Sequence, residues 1–325
     1  MVGGKYGFKI ALCVFLSALT VCASAEVYRT RPTRLVVSAD PGGGTDFVAR
    51  VIAPELSRML EQSIVIENRG GSAGVVAGRL VADAAPDGYT MLMMTNNFAT
   101  FPSLYKTLGF HPVDSFAFIS QLAVVPHVLV VHPAVPARSL GELIAYAKDS
   151  RNKLNFGSGG VGTMGHLATE QFKGMAGIEM QHIAYKGGGP SIIALLSGEI
   201  QLVFANLPTA LGQVKAGRLR AIAVTSPKRS QIASELPTMA ESGLPGFESS
   251  AWFGLVAPKG TRPEILNKVY RSSLAILKND EVVRRLAADG GMDPIANKPE
   301  EFRQQLRRDI QRWSEVIRAA NINSQ

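Results

Sequence analysis

Three glycine-dense turns, each set between a β-rich run and a helical pattern, constrain this 325-residue chain more than any other feature. They are Pro41-Gly42-Gly43-Gly44-Thr45-Asp46, Gly157-Ser158-Gly159-Gly160-Val161-Gly162-Thr163 and Lys186-Gly187-Gly188-Gly189-Pro190. Glycine lets the backbone approach a ligand closely. The helix start that follows adds N–H groups with no intrahelical partner and a partial positive charge. Such a junction is a ready anion site. In open α/β sheets it lies at the carboxyl ends of strands, where ligands bind. Turns in α/β proteins also contain glycine for purely structural reasons, and Thr45, Asp46 and Thr163 are ordinary helix N-caps. Three junctions of this glycine density favour a site over capping alone.

The flanking segments read as α/β. Residues 34–39 are a short β-rich run. Phe47, Val51, Ile52, Leu56 and Leu60 then share one helical face, and Pro54 inside that pattern argues against an unbroken helix. Strands are expected at 63–67 and 89–95, with a small-residue helix over 73–84 between them. Residues 116–132 are β-rich but interrupted at Pro126. A second unit follows, with helices over 140–148, 163–175 and 190–197 and strands at 154–156, 178–185, 199–204, 219–225 and 251–257. Phe302, Leu306, Ile310, Trp313 and Ile317 mark one buried face of a tail helix. Two crossings, at the central stretch and at 251–257, give two lobes: 26–125 with 252–325, and 126–251. The first turn then falls in one lobe and the other two in the second, so that they face each other and clamp the two ends of a dicarboxylate.

The N-terminus carries the three parts of a secretory signal over residues 1–25. Lys5 and Lys9 precede a mostly apolar run at 10–21, and Ala23-Ser24-Ala25 is a small-x-small cleavage site. The run is short of the ~20 apolar residues a membrane span requires. Both cysteines, Cys13 and Cys22, lie inside this segment, which excludes thiol catalysis and cysteine metal sites from the rest. The expected location is the periplasm. Without the signal the chain has 32 basic and 26 acidic residues, a mild positive balance that favours anions. No basic tract accompanies it, so nucleic acid is not an expected partner.

Two enzyme patterns fit poorly. Gly157-x-Gly159-x-x-Gly162 matches the dinucleotide fingerprint, but the acidic residue that should end the next strand is absent there, and no cofactor is expected. Gly70-Gly71-Ser72-Ala73-Gly74 matches the hydrolase nucleophile elbow. An exported serine hydrolase using Ser72 is therefore the alternative reading, although no histidine follows His182. The histidines show no metal-binding spacing. His166, three residues after Thr163, is placed to face the second turn.

The ordered set Pro41-Gly-Gly-Gly-Thr-Asp46, Glu67-Asn-Arg-Gly-Gly71, Pro86-Asp-Gly-Tyr-Thr90, Tyr185-Lys-Gly187, Leu219-Arg-Ala-Ile-Ala-Val-Thr225 and Trp252-Phe-Gly-Leu-Val-Ala-Pro258 resembles the Bug family, the substrate-binding proteins of tripartite tricarboxylate transporters. The resemblance implies a two-lobed α/β periplasmic binding protein, type II-like, with a ligand cleft between lobes. It implies a non-enzymatic, monomeric receptor that delivers a small carboxylate, such as a di- or tricarboxylate, an amino acid or an aromatic acid, to an inner-membrane permease. Carried onto this sequence, the ligand contacts are Gly43, Gly44, Thr45, Asp46, Ser158, Gly159, Thr163 and His166, with Asn97 and Asn206 as further candidates. The chain departs from the family at Gln201 and Ala205, where members commonly carry aspartates. That departure bears on which ligand is bound.

Overall fold

The computed structural model describes residues 31–149 and 151–322. The expected signal segment lies outside these residues. The strands are β1 (Thr33–Val37), β2 (Ile64–Asn68), β3 (Thr90–Thr95), β4 (Phe116–Val131), β5 (Asn155–Ser158), β6 (Gln181–Ala184), β7 (Leu202–Asn206), β8 (Arg220–Val224), β9 (Ser250–Pro258) and β10 (Asp293–Pro294). The helices are α1 (Gly44–Leu60), α2 (Val75–Ala82), α3 (Phe101–Leu104), α4 (Leu140–Lys148), α5 (Met164–Ala176), α6 (Gly188–Leu196), α7 (Leu207–Lys215), α8 (Pro263–Ile276), α9 (Asp280–Ala288) and α10 (Pro299–Ala319).

The sheet has two arms that share one strand. In the first arm β1 pairs in parallel with β2 and β3, and β9 runs antiparallel between β3 and β4. In the second, β5 pairs in parallel with β6 and β7, and β4 runs antiparallel between β7 and β8. β4 belongs to both. It pairs with β9 up to Pro126↔Ser250, then with β7 from His127↔Asn206 onward. Pro126 therefore does not interrupt the strand, contrary to the sequence expectation. Proline lacks an N–H for a ladder, and it sits where β4 exchanges one partner for the other.

Each arm buries its inner strands on both faces. Along β4, Leu129 and Val131 enter one core with Phe156, Phe172 and Phe204, while Val128 and Val130 enter another with Leu195 and Val203. This is the two-residue period of a strand covered on both sides. In the first arm the core collects Phe98, Phe101, Phe116, Trp252, Phe302 and Trp313. Met164 and Leu167 from the start of α5 join this same core. α1 runs unbroken through Pro54, which is on its solvent face while Val48, Ile52 and Leu56 are buried. Helices α7, α8 and α9 have no counterpart in the sequence reading, and the strand expected at 199–204 falls at Leu202–Asn206.

α10 fixes β9 in place. Trp252 Nε1–H donates to Asp309 Oδ2 at 2.8 Å, and Arg312 donates to Asp309 Oδ1 at 2.8 Å and to the Glu248 carbonyl at 3.3 Å. Phe302 packs edge-on against Trp252, with ring centroids 5.1 Å apart. This close approach requires Gly254, because a Cβ there would lie 2.5 Å from the Phe302 ring and 3.0 Å from the Ser120 carbonyl oxygen. Gly254→Val is expected to lower the unfolding free energy by about 1–3 kcal/mol, the usual cost of overpacking. Denaturant midpoints at unchanged slope would check this, and an unaltered midpoint would contradict the packing account.

Candidate functional site

Four helices begin at one cleft. Their N-caps are Gly43 for α1, Thr163 for α5, Gly187 for α6 and Asn206 for α7; the glycines have no side chain to cap with, and neither Thr163 nor Asn206 caps its helix. Two of the other helices are capped by a side chain, whereas α2, α3 and α8 are not. Ser139 accepts from the Glu142 N–H at the start of α4, and Asn279 from the Glu281 N–H at the start of α9. The first N–H groups of the four cleft helices are thus left to whatever fills the cleft.

The cleft has a volume of about 530 Å³. Gly42–Thr45, Ser158, Gly159, Thr163–Gly165, Gly187–Gly189 and Asn206 line it from the helix starts, and Thr95, Asn96, Asn97, His127, Thr209 and Phe253 complete much of the wall. No Asp, Glu, Lys or Arg is among the described lining residues. Its positive potential is therefore supplied by aligned peptide dipoles, and such a potential suits an anion held by main-chain amides. A roomier groove of about 750 Å³ on the other face of β9, lined by Trp252, Asp309 and Arg312, receives none of these helix starts.

The side chains beside the turns brace them. Asp46 is buried and accepts from the Gly42 N–H at 2.9 Å, Arg50 Nε at 2.8 Å and Asn68 Nδ2 at 2.9 Å. The Arg50 hydrogen bond is the largest cause lowering its pKa to about 2. In the second turn His166 Nδ1 accepts the Gly162 N–H at 3.0 Å. The imidazole stacks on His182 at 3.9 Å, and His182 stacks on Phe156 at 4.8 Å. Burial is the main cause holding His166 down to about 3 and His182 down to about 4, so both rings are neutral near pH 7 and His166 keeps the lone pair its bond needs. Ser158 Oγ lies 2.7 Å from His182 Nε2 and also binds the Gly160 carbonyl and N–H. Thr163 Oγ1 donates to the Gly160 carbonyl at 2.8 Å.

Eight of the ten residues singled out from the sequence line the cleft: Gly43, Gly44, Thr45, Asn97, Ser158, Gly159, Thr163 and Asn206. Asp46 and His166 do not. Each stands behind its turn: Asp46 accepts from the Gly42 N–H and from the Arg50 and Asn68 side chains, and His166 Nδ1 accepts from the Gly162 N–H. Sequence reasoning missed Thr95, His127 and Thr209, which carry no motif. Gln201 also stands away from the cleft, where its Oε1 accepts the Asn155 N–H at 2.9 Å and braces β5 to β7. Ala205, the other departure, lines the wall. The five histidines are engaged elsewhere: His111 and His132 accept backbone N–H groups, His127 contacts Ser249, and His166 and His182 serve the second turn. The serine hydrolase reading through Ser72 is not supported.

Asp46 gives a prediction with a definite sign. Its folded pKa lies below the ordinary value of 3.8, so its contribution to stability is full above about pH 4 and is lost as pH falls towards 2. Asp46→Asn is expected to destabilise the protein at neutral pH. The wild-type advantage should shrink between pH 4 and 2 in denaturant unfolding; an advantage constant across that range would contradict the bracing role.

The description "Tripartite tricarboxylate transporter family receptor" matches residues 48–322. The chain is 35% identical over 311 residues to Protein BugT of Bordetella pertussis, covering 95% of each chain. Among solved structures it is similar to an R. palustris protein with adipate, at 37% identity and a TM-score of 0.80 over 91% of this chain and 99% of that one. It is also similar to the periplasmic binding protein BugD, at 34% identity and a TM-score of 0.77 over 92% of this chain and 100% of that one. MatC from Rhodopseudomonas palustris with bound malate aligns at 28% identity and a TM-score of 0.74 over 89% of this chain and 99% of that one. The chain therefore belongs to the tripartite tricarboxylate transporter receptors, the Bug-type solute-binding proteins, and has their two-lobed α/β fold.

Proposed function

We propose that this protein is an exported receptor, without enzymatic activity, that captures a small organic carboxylate in the periplasm and presents it to an inner-membrane permease. The observation that carries this reading is the convergence of four uncapped helix N-termini on a cleft lined by no charged side chain. Carboxylate oxygens accept from several N–H groups at once, and such charge-assisted bonds are about twice as strong as neutral ones. The adipate and malate seen with two structural neighbours are carboxylates of a size that suits the cleft. Export rests on the pattern at residues 1–25, and no described helix is long and apolar enough to cross a membrane.

The lobes run 26–125 with 252–325, and 126–251. Support for these boundaries comes from the exchange of β4 partners after Pro126 and from the start of β9 at Ser250. The first turn then belongs to one lobe, and the second and third to the other. The ligand contacts are the main-chain amides at Gly43, Gly44, Thr45, Ser158 and Gly159, with Thr163 beside them at the start of α5 and Asn97 and Asn206 offering side-chain amides. Asp46 and His166 shape the turns that make these contacts. Binding draws the lobes together, and the closed monomer is the form that the permease meets.

Calorimetry with a panel of organic acids tests the reading, and no heat from any carboxylate at millimolar concentration would sink it. Gly159 tests the site. A Cβ there would lie 3.1 Å from the backbone of Gly187 and Gly188, so a larger residue wedges the second and third turns apart. Gly159→Val is expected to weaken carboxylate binding about tenfold or more, the equivalent of one charge-assisted hydrogen bond. Unchanged affinity would remove these turns from the site.

A further inference from the structure

The turn that joins α9 to β10 rests against helices of both arms. Its backbone is tied down at each end. The Gly290, Gly291 and Met292 N–H groups donate back to the Arg285, Ala287 and Leu286 carbonyls of α9, and β10 pairs with Ala123 and Val124 of β4. From this base the turn reaches α1, which stands between β1 and β2 of the first arm, and α7, which stands between β7 and β8 of the second. A Cβ at Gly290 would lie 2.5 Å from the Phe47 ring, in the first turn of α1, and one at Gly44 would lie 3.5 Å from the Met292 methyl carbon. Towards the second arm, a Cβ at Gly291 would lie 2.1 Å from Pro208 Cγ, in the first turn of α7, and 3.0 Å from Ile232 Cδ1. Gly290, Gly291 and Pro208 are not among the residues that line the cleft.

Both α1 and α7 begin at the cleft, so one short turn spaces two of the helix N-termini that face it. Main-chain amides cannot reach for a ligand as a long side chain does. The gap between two helix starts therefore becomes a span that the acid must match, and donors set in place beforehand raise affinity for an acid of that length. Gly291 keeps the gap small. Its φ of +56° and its contact with Pro208 both call for a residue without a Cβ. The Ile232 side chain can turn away from an added carbon, but the Pro208 ring cannot, because it is closed onto its own backbone. At 2.1 Å the clash is relieved only when the turn and α7 move apart.

We propose that Gly291 is a positioning residue: without touching the ligand, its contact with Pro208 sets the distance between the α1 and α7 N-termini and hence the length of acid the cleft accepts. This rests on the carboxylate-receptor reading and adds to it what fixes the span. The test is calorimetry on the purified protein with the straight-chain dicarboxylates from malonate to adipate, beside the other organic acids. Gly291→Ala is expected to bind the best wild-type acid about tenfold or more weaker, with longer acids losing less than shorter ones. The control is Gly217→Ala, whose φ of +69° imposes a similar backbone strain where nothing lies within 4 Å of the new carbon. It should stay within about twofold of wild type along the whole series. A merely structural loss weakens every acid alike, so the length preference separates the two roles. Should Gly291→Ala fail to fold, Pro208→Ala decides in its place: with the ring gone the turn and α7 can close up, and the preference should move towards shorter acids. Where the wild type takes only acids outside the series, the loss of the best one in Gly291→Ala beside Gly217→Ala decides. Affinities in Gly291→Ala that match those in Gly217→Ala, a loss uniform along the series, or a Pro208→Ala protein with the wild-type preference would each overturn the proposal. Absence of binding of every carboxylate by the wild type would instead remove the receptor reading beneath it.

Discussion

Backbone N–H groups that no side chain caps are the interaction on which the rest of this protein depends. A buried donor without a partner is costly, and the four cleft helices present several at once. Exposure to the solvent of the cleft offsets that cost before a ligand arrives, and an anion offsets it better. Much of the surrounding detail keeps these donors available. Asp46 holds the first turn through the Gly42 N–H, His166 holds the second through the Gly162 N–H, and Thr163 turns its hydroxyl to the Gly160 carbonyl instead of capping α5. The charged groups stand one layer back. There they shape the backbone without placing a net charge beside the ligand.

The second constraint is the shared strand. β4 carries each arm's register into the other, since the residue after Pro126 opens the pairing with β7. β9 runs beside it and is held from behind by α10 through Trp252 and Asp309. β4 is the strand common to the two arms, and separate cores pack on either side of it. Met164 and Leu167 begin α5 inside the first arm's core, so a helix that starts at the cleft is also a contact between the arms.

Most of the architecture was legible because its signals are local. Glycine-rich turns, two-residue strand alternation and the stripe at Phe302, Leu306 and Trp313 are all readable within short windows. The sequence misleads where tertiary context decides. Pro126 looks like a strand break, yet an exchange of partners absorbs its missing N–H. Helices α8 and α9 sit between a clear strand and a clear tail helix, and no motif called attention to them. The site follows the same division. The turn residues, which composition marks, line the cleft, whereas Asp46 and His166 share those stretches of chain but stand behind the turns. Thr95 and His127 reach the wall only through strand register, which no short window contains.

The alternation along β9 has a spectroscopic consequence. Phe253 faces the cleft, while its neighbour Trp252 points the opposite way into the first arm's core, stacked edge-on to Phe302 and bonded to Asp309. The chain has two tryptophans, and the other, Trp313, is buried on the helix that clamps this strand. Neither indole lines the cleft, and both are buried. A change in their emission would therefore reach them through the strand and its clamp and not by contact with a solute in the cleft.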